Sequence, residues 1–282
     1  MPQGSTIESE HSPRPNAIRR PQAIVVQCQA FWAAVQFLTR VPTPTRPISE
    51  SQHEGPRLQL ATIYFPLVGA LIGLATGTVI WLASCAWPIW LAVSLGLVVE
   101  ALLTGALHED ALADCCDALG GGWTRTDVLR ILDDSRLGTY GVLGLAFALF
   151  LRAGALASLD ASLLLPAVVA SAAIGRWAMV LAMAWLAPLP DRPSLTQQTG
   201  RQTLGVHVFW GACTALAGSL PLAFQSPWRF GLSIAVVLAV TAWFVSYLRR
   251  RIGGTTGDAV GAVCYVSQIV VLLCCSLRWP WQ

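Results

Sequence analysis

The stretch "AWPIWLAVSLGLVVEALLTGALHEDALADCCDALGGG", residues 86–122, joins an apolar run to a dense group of acids. The run up to Leu107 is long enough to cross a bilayer as a helix, which takes roughly twenty apolar residues. Ionisable residues follow it at once: His108, Glu109, Asp110, Asp114 and Asp117. Because charge near a bilayer is costly, such a cluster at the end of a span is typical of a functional site.

The composition is that of a membrane protein. The 282 residues are 55% hydrophobic and only 12% charged, whereas a soluble domain usually has about 25% charged residues. Twelve tryptophans fit aromatic side chains at the two membrane interfaces. The net charge of +3 does not favour nucleic acid as a partner. The sequence contains no lysine, which excludes Schiff-base chemistry on a lysine side chain.

Seven apolar runs are long enough to span a bilayer. They lie near 60–84, 86–107, 139–159, 162–187, 204–224, 229–248 and 258–279. A further run at 22–38 is shorter, and it could be interfacial, re-entrant or an eighth span. The sequence therefore predicts an all-α, polytopic transmembrane helical bundle of about seven spans plus an N-terminal interfacial or re-entrant helix. Residues 1–21 are polar and Pro-rich and are predicted to be a disordered tail, and 22–282 a single membrane-embedded domain.

Arginines mark one side of the predicted topology. If 22–38 does not cross, the loops richest in arginine share one side of the membrane. These arginines are Arg40, Arg46, Arg57, Arg125, Arg130, Arg136, Arg192, Arg201, Arg249, Arg250 and Arg251. Since loops rich in Arg and Lys stay in the cytoplasm, we expect this side to be cytoplasmic.

Three of the acids are spaced for one helix face. Asp110, Asp114 and Asp117 stand at i, i+4 and i+7, so their carboxylates would repel one another on a helix. A divalent cation reverses the sign of that interaction. Mg²⁺ prefers oxygen ligands and usually takes one or two carboxylates together with substrate phosphate oxygens. A solvated acidic loop would explain scattered acids, but three in register predict a Mg²⁺ site.

Two further segments have the residues of phosphate sites. In ILDDSRLGTYG (131–141), Arg136 offers a planar fork suited to phosphate, although an ordinary turn and helix start would look similar. In RIGGTTGDAVGA (251–262), a Gly/Thr-rich loop opens the last span, and such loops at helix N-termini bind anions. Asp258, in the first turn of that span, could favour the helix dipole or bind metal.

Two arginines fall inside predicted spans. An intramembrane arginine most often faces a polar cavity or an acidic partner. Arg176 is the stronger candidate for contact with a substrate phosphate. For Arg152, a structural ion pair is equally well supported.

Four motifs carry a family resemblance, and their order and spacing make it specific. They are HEDALADCCDA (108–118), DDSRLGTYG (133–141), GGTTGDAVGA (253–262) and FLTRVPTP (37–44). Together they resemble the cobalamin synthase family, the adenosylcobinamide-GDP ribazoletransferases, from about residue 31 to the C-terminus. Ala111 and Ala118 stand where the family pattern has glycine, and Glu109 where an apolar residue is usual. All the carboxylates of the pattern are present.

The resemblance implies a phosphotransferase of the plasma (inner) membrane with a cytoplasmic active site. It would join adenosylcobinamide-GDP to α-ribazole or α-ribazole 5′-phosphate, giving adenosylcobalamin or its 5′-phosphate and GMP, late in cobalamin biosynthesis. Positioning and charge neutralisation do most of the catalysis in such transfers. Assembly into a homo-oligomer, or with other cobalamin-assembly enzymes, is left open.

The resemblance also implies roles for the motif residues. Mg²⁺ would be held on the diphosphate by Asp110, Asp114, Asp117 and Asp258. Phosphate or nucleotide would be bound by Arg136 and by Gly253, Gly254, Thr256 and Gly257. The proton of the attacking hydroxyl would pass to His108 or to a carboxylate such as Asp134.

Two other classes of function fit parts of this pattern. Membrane alcohol phosphotransferases and prenyltransferases also use aspartates on helices, but the former would show Asp-Gly-x-x-Ala-Arg, and here Asp114 runs into Cys115 and Cys116. A transporter would also have charges inside its spans. Its charges would gather at the midplane and its sequence would show a repeat, and this sequence shows neither feature.

Overall fold

The computed structural model describes residues 20–44, 55–190 and 205–278, and every regular element within these ranges is helical. The predicted tail at 1–21 lies almost entirely outside the described residues, and Arg46, Arg192 and Arg201 also lie outside them. The helices are α1 (Arg20–Leu38), α2 (Gly55–Ala61), α3 (Phe65–Ser84), α4 (Ile89–Thr104), α5 (Leu107–Gly121), α6 (Arg125–Leu132), α7 (Thr139–Ala157), α8 (Ala161–Trp185), α9 (Gly205–Gln225), α10 (Pro227–Arg251) and α11 (Gly257–Ser276).

The helix lengths confirm the predicted polytopic bundle. Six segments of the described chain are long and apolar enough to cross a membrane, and α4 with α5 makes a seventh if this bent pair counts as one span. The apolar part of α1, Ile24–Leu38, falls short of that length. Ile24 is 65% exposed, whereas Ala33, Ala34 and Leu38 are fully buried against the bundle. The length of α1 therefore agrees with the prediction of an interfacial or re-entrant helix.

The structure corrects the end of the predicted span 86–107. Helix α4 stops at Thr104, Gly105 and Ala106 both adopt positive φ angles of 70° and 57°, and α5 leaves at 90° to α4. Gly105 enters the left-handed region at little cost, but an alanine rarely does. The acids therefore lie on a helix of their own, and not on a straight continuation of the span.

Helices α8 and α11 form the centre of the bundle. In the apolar windows of these two helices 83% and 78% of residues are buried, against 28% in α7, α9 and α10. Small residues let the central backbones approach: a Cβ at Gly73 would lie 2.9 Å from the Val168 carbonyl oxygen, and one at Gly175 would lie 2.8 Å from that of Cys264. Close packing over small residues is how helices associate in a bilayer, where burial of apolar area gives little drive.

Helix α5 runs beside α7 in the opposite direction. In its first turn Glu109 faces the interior of the bundle, where its Oε1 is 3.9 Å from Arg152 Nη1. Its last turns lie at the beginning of α7, where Asp117 accepts hydrogen bonds from Gly138 and Gly141. Since Arg152 is 13 residues into α7, or about 20 Å at 1.5 Å per residue, α5 rises from the interior towards one end of the bundle.

That end gathers the loops that contain most of the described arginines, as the sequence predicts. Arg125 Nε donates to the Ile252 carbonyl at 2.9 Å, and Arg249 Nη2 donates to that of Trp185 at 2.8 Å. Arg251 donates to the carbonyls of Gly122 and Trp123. We call this end of the bundle the arginine-rich end.

Candidate active site

Helix α5 has an apolar side and an acidic side. Leu112, Cys115 and Leu119 face α10 and α11 across an apolar cavity of ≈ 250 Å³. On the opposite side of the helix Asp110 is exposed and Asp114 is half-buried. The cavity has almost no polar surface, so it offers nothing to a phosphate, and the acidic side is the candidate site.

Helix α11 brings a further carboxylate to the acidic side. A Cβ at Gly261 would lie only 2.5 Å from the Ala111 Cβ, so the two backbones approach closely at this point. Asp258 lies one turn before Gly261, and its negative charge acts on Asp114 together with those of Asp110 and Asp117. The structure thus brings together the two acidic motifs that lie far apart in the sequence.

Asp117 also caps a neighbouring helix. Its two carboxylate oxygens accept hydrogen bonds from the backbone N–H groups of Gly138, at 2.7 Å, and Gly141, at 2.8 Å. It thereby supplies the N-terminal cap that α7 lacks from its own residues, where a negative charge is favourable. A Cβ at Gly138 would lie 2.5 Å from Asp117 Oδ1. The glycines of DDSRLGTYG are therefore explained by contact with Asp117.

The 253–257 loop is a fixed turn beside Asp258. Thr255 donates to the Ala187 carbonyl at 3.0 Å, and its own carbonyl accepts from Leu189 at 3.1 Å, which ties the loop to the segment after α8. Gly253 has a φ of 82°, and Thr256 caps α11 by accepting from the Ala259 N–H at 3.2 Å. Gly254 and Thr256 are buried, whereas Gly253 and Gly257 are exposed.

Asp134 and Arg136 form an exposed ion pair at the same end. Arg136 Nη2 lies 2.7 Å from Asp134 Oδ2, and Nε donates to Oδ1 at 2.9 Å. These hydrogen bonds from Arg136 lower the pKa of Asp134 to about 2, which makes this carboxylate a weak base near neutrality. The Arg136 side chain is 86% exposed.

His108 and Arg176 lie in the interior and not on the acidic side. Arg176 is 0% exposed, and its Nη1 donates to the Ala172 carbonyl at 3.2 Å. Within the described part of the chain, Nε and Nη2 of Arg176 and Nε2 of His108 have no hydrogen-bond partner. The structure therefore separates these two predicted site residues from the carboxylates.

The interior also holds an ion pair whose acid we had not singled out in the sequence. Arg152 Nη2 lies 2.8 Å from both carboxylate oxygens of Glu100 and 3.1 Å from Gln268 Oε1. Thr76 donates to Glu100 at 3.2 Å, and the Arg152 guanidinium lies 5.1 Å from the centre of the Tyr265 ring. We call these residues with Glu109 the buried ionic cluster. The one feature of the sequence that indicates this cluster is Glu100, an acid inside an apolar run.

The carboxylates of the acidic side could supply some, but not all, of the ligands of a Mg²⁺ ion. Among the described residues no three acidic, histidine or cysteine side chains are placed to hold a metal ion by themselves. Mg²⁺ usually takes only one or two carboxylates and completes its shell with water and phosphate oxygens. Asp110, Asp114 and Asp258 supply oxygen ligands whose mutual repulsion a cation would relieve. The donor set therefore fits this ion.

Comparison with known proteins gives one consistent result. Residues 30–276 match the family described as cobalamin-5-phosphate synthase. The relatives include proteins named adenosylcobinamide-GDP ribazoletransferase from Leptothrix cholodnii, 35% identical over 89% of this chain and 96% of the relative, and from Ralstonia nicotianae, 36% identical over 87% and 93%. No solved structure is significantly similar. The chain therefore belongs to the cobalamin-5-phosphate synthase family.

Proposed function

We propose that this membrane protein is an adenosylcobinamide-GDP ribazoletransferase, the activity for which its relatives are named. The observation that carries the proposal is that Asp258 on α11 lies near enough to Asp114 on α5 for the two negative charges to act on each other. The enzyme joins adenosylcobinamide-GDP to α-ribazole or its 5′-phosphate and releases GMP. A different phosphotransferase, a prenyltransferase or a transporter is not favoured, because the family match covers residues 30–276.

The acidic side is proposed to bind the diphosphate through Mg²⁺. Asp110, Asp114 and Asp258 are the proposed ligands, and Asp117 contributes less because both its oxygens already accept hydrogen bonds. An ion held there would neutralise the charge that develops on the leaving phosphate. The fixed 253–257 loop, with Gly253 and Gly257 exposed, and the exposed Arg136 hold phosphate oxygens nearby.

Arg176 is retained as a proposed phosphate contact. A buried guanidinium with unpartnered Nε and Nη2 is costly unless an anion or water reaches it. The proton of the attacking ribose hydroxyl needs an acceptor within hydrogen-bond reach. His108 and Asp134 are the two proposed acceptors: the hydrogen bonds from Arg136 lower the pKa of Asp134 to about 2, and His108 is buried on the interior side of α5.

The arginine-rich end is proposed to face the cytoplasm of a plasma (inner) membrane. Trp123 is 86% exposed at this end, and Trp87 is 51% exposed at the other. Single cysteines at these positions, in a background without the eight native cysteines, should label oppositely in intact cells. Labelling of Trp123→Cys from outside would overturn the orientation. Association with a second copy or with other enzymes of cobalamin assembly remains a prediction.

Turnover by the purified protein tests the function. Adenosylcobinamide-GDP and α-ribazole, or its 5′-phosphate, should yield GMP and the joined product in equal amounts, and removal of Mg²⁺ should stop the reaction. Each acceptor is assayed alone to identify the preferred one. Failure to release GMP with either acceptor, in a folded preparation supplied with Mg²⁺, would contradict the proposal.

A further inference from the structure

Most arginines at the arginine-rich end are already engaged. Arg125, Arg249 and Arg251 donate to backbone carbonyls, and Arg136 pairs with Asp134. Arg40, Arg130 and Arg250 are exposed, and their guanidinium groups make no hydrogen bond or ion pair with any residue that the structure describes. Arg40 is distinguished from the other two by its position at the break between α4 and α5. Within the described ranges, the charge of Arg40 is therefore not paired with an acid.

The backbone at Arg40 is held against the end of α4. The Arg40 N–H donates to the Leu103 carbonyl at 2.8 Å, which gives a partner to one of the last carbonyls of that helix. The preceding residue is also fixed, because Thr39 Oγ1 donates to the Val35 carbonyl at 2.8 Å. Only the Arg40 side chain beyond this anchored backbone is free to meet a ligand.

The guanidinium lies over the break between α4 and α5. A Cβ added at Gly105 would collide with Arg40 Nε and would lie 3.0 Å from its Cζ. Gly105 also has a φ of 70°, so glycine is required there by the backbone and by the arginine. Helix α5, with Asp110 exposed in its first turn, begins two residues later.

The segment before Arg40 packs on an apolar cluster that also includes part of α11. Leu38, two residues before Arg40, is buried in an apolar cluster that includes Val260 and borders Leu103. Val260 lies two residues after Asp258 in the first turns of α11. The segment that ends at Arg40 therefore packs on the same cluster as the end of α4 and the first turns of α11.

We propose that Arg40 is a phosphate-binding residue of the active site, and that it holds the diphosphate of adenosylcobinamide-GDP through charged hydrogen bonds. The identity of that substrate rests on the proposed function. A guanidinium suits this task because its planar fork matches two phosphate oxygens at once. A purely structural arginine would instead complement the C-terminal dipole of α4, and a lysine would serve that role as well.

Kinetics of matched variants test the proposal. Arg40→Gln should raise the KM for adenosylcobinamide-GDP by about 10- to 100-fold, the loss expected for hydrogen bonds to a charged group, and leave the KM for the ribazole acceptor unchanged. Arg40→Lys should recover only part of the loss. The control is Arg130→Gln, an exposed arginine on α6 with no role in the site, which should resemble wild type. Equal effects on both KM values, or full recovery with lysine, would overturn the proposal.

A binding measurement separates this proposal from the proposed function and from a lipid headgroup as the source of phosphate. Inorganic diphosphate with Mg²⁺ is titrated into wild type, Arg40→Gln and Arg130→Gln in detergent without phospholipid. Arg40→Gln should bind about tenfold more weakly, whether or not the enzyme turns over the cobinamide substrate. Equal binding by all three proteins, or a defect that appears only in bilayers of anionic phospholipid, would show that Arg40 does not hold the substrate phosphate.

Discussion

The acidic side of α5 and the buried ionic cluster are both built of charges, but they are arranged oppositely. In the cluster, Glu100 and Arg152 have opposite charges, are almost fully buried and meet at 2.8 Å. On the acidic side, Asp110, Asp114 and Asp258 have the same charge, and the charges of Asp110 and Asp258 act against that of Asp114. The first arrangement is neutralised within the fold, whereas in the second we expect a bound cation to relieve the repulsion.

The difference predicts which charges serve the fold and which serve the reaction. Breaking a buried pair leaves an uncompensated charge in a medium of low polarity, so the loss appears in stability. Removing one of several repelling carboxylates relieves repulsion, so any loss appears in function. Stability and activity measured on the same variants therefore separate the two regions.

The largest effect is expected from Glu100→Gln. It removes the carboxylate that Arg152 contacts at 2.8 Å and leaves only Glu109, at 3.9 Å, as a negative neighbour, which should lower the free energy of unfolding in detergent by about 3 kcal/mol. Thr76→Val, which removes only the 3.2 Å hydrogen bond to Glu100, is the matched control and should cost about 1 kcal/mol. The double variant Glu100→Leu with Arg152→Met should recover most of the loss. If Glu100→Gln is as stable as wild type, the ion pair does not hold the bundle together.

Asp114→Asn should show the reverse pattern. Loss of a ligand at the acidic side should reduce kcat/KM by about 10²–10³-fold, while the unfolding free energy stays the same or rises slightly, because repulsion is relieved. Asp160→Asn removes the same charge at the opposite end of the bundle, where the side chain makes no capping hydrogen bond. It should leave turnover unchanged. Wild-type turnover of Asp114→Asn at limiting Mg²⁺ would remove the acidic side from the active site.

Asp117→Asn should fall between the two patterns. The amide keeps one acceptor oxygen but turns an N–H donor towards a backbone N–H, so one of the bonds to Gly138 and Gly141 is lost. We expect a loss of stability of about 1–3 kcal/mol and a smaller loss of turnover than for Asp114→Asn. A loss of turnover equal to that of Asp114→Asn, with unchanged stability, would show that Asp117 serves mainly as a metal ligand.

The smallest effect is expected from Asp134→Asn. Since Arg136 lowers the pKa of Asp134 from 3.8 to about 2, the ion pair stabilises the fold above pH 4 and is lost as the pH falls towards 2. Its contribution is therefore constant across physiological pH. Turnover at pH 7 should change by less than about threefold, because such a weak base contributes little to proton transfer. A hundredfold loss with a new pH dependence would instead identify Asp134 as the proton acceptor.

The sequence predicted the parts of this arrangement that depend on periodicity and composition. The apolar runs located the helices, and the spacing of Asp110, Asp114 and Asp117 placed three acids on one face. That spacing does not distinguish the three aspartates from one another. Only the packing of α7 against α5 shows that Asp117 caps a neighbouring helix. Nothing in the sequence around Ala106 indicates its positive φ, so the break before α5 was not predicted.

The interior placements could not be read from the sequence either. An arginine inside an apolar run predicts a polar partner but not which helix supplies it, and the partner of Arg152 comes from α4. The same limit applies to His108: its place next to the carboxylates in the sequence suggested the acidic side, but its position in the first turn of α5 points it into the bundle. Which face of a helix is buried depends on tertiary packing and not on local propensity.

The central claim is that carboxylates from α5 and α11 hold one ion, and metal binding tests it most directly. Mn²⁺, which favours the same oxygen ligands as Mg²⁺, is titrated into the purified protein with inorganic diphosphate and followed by electron paramagnetic resonance. Asp114→Asn and Asp258→Asn should each weaken binding by at least about tenfold, although the two residues lie on different helices. Binding of Mn²⁺ by Asp258→Asn as tightly as by wild type would contradict a shared site.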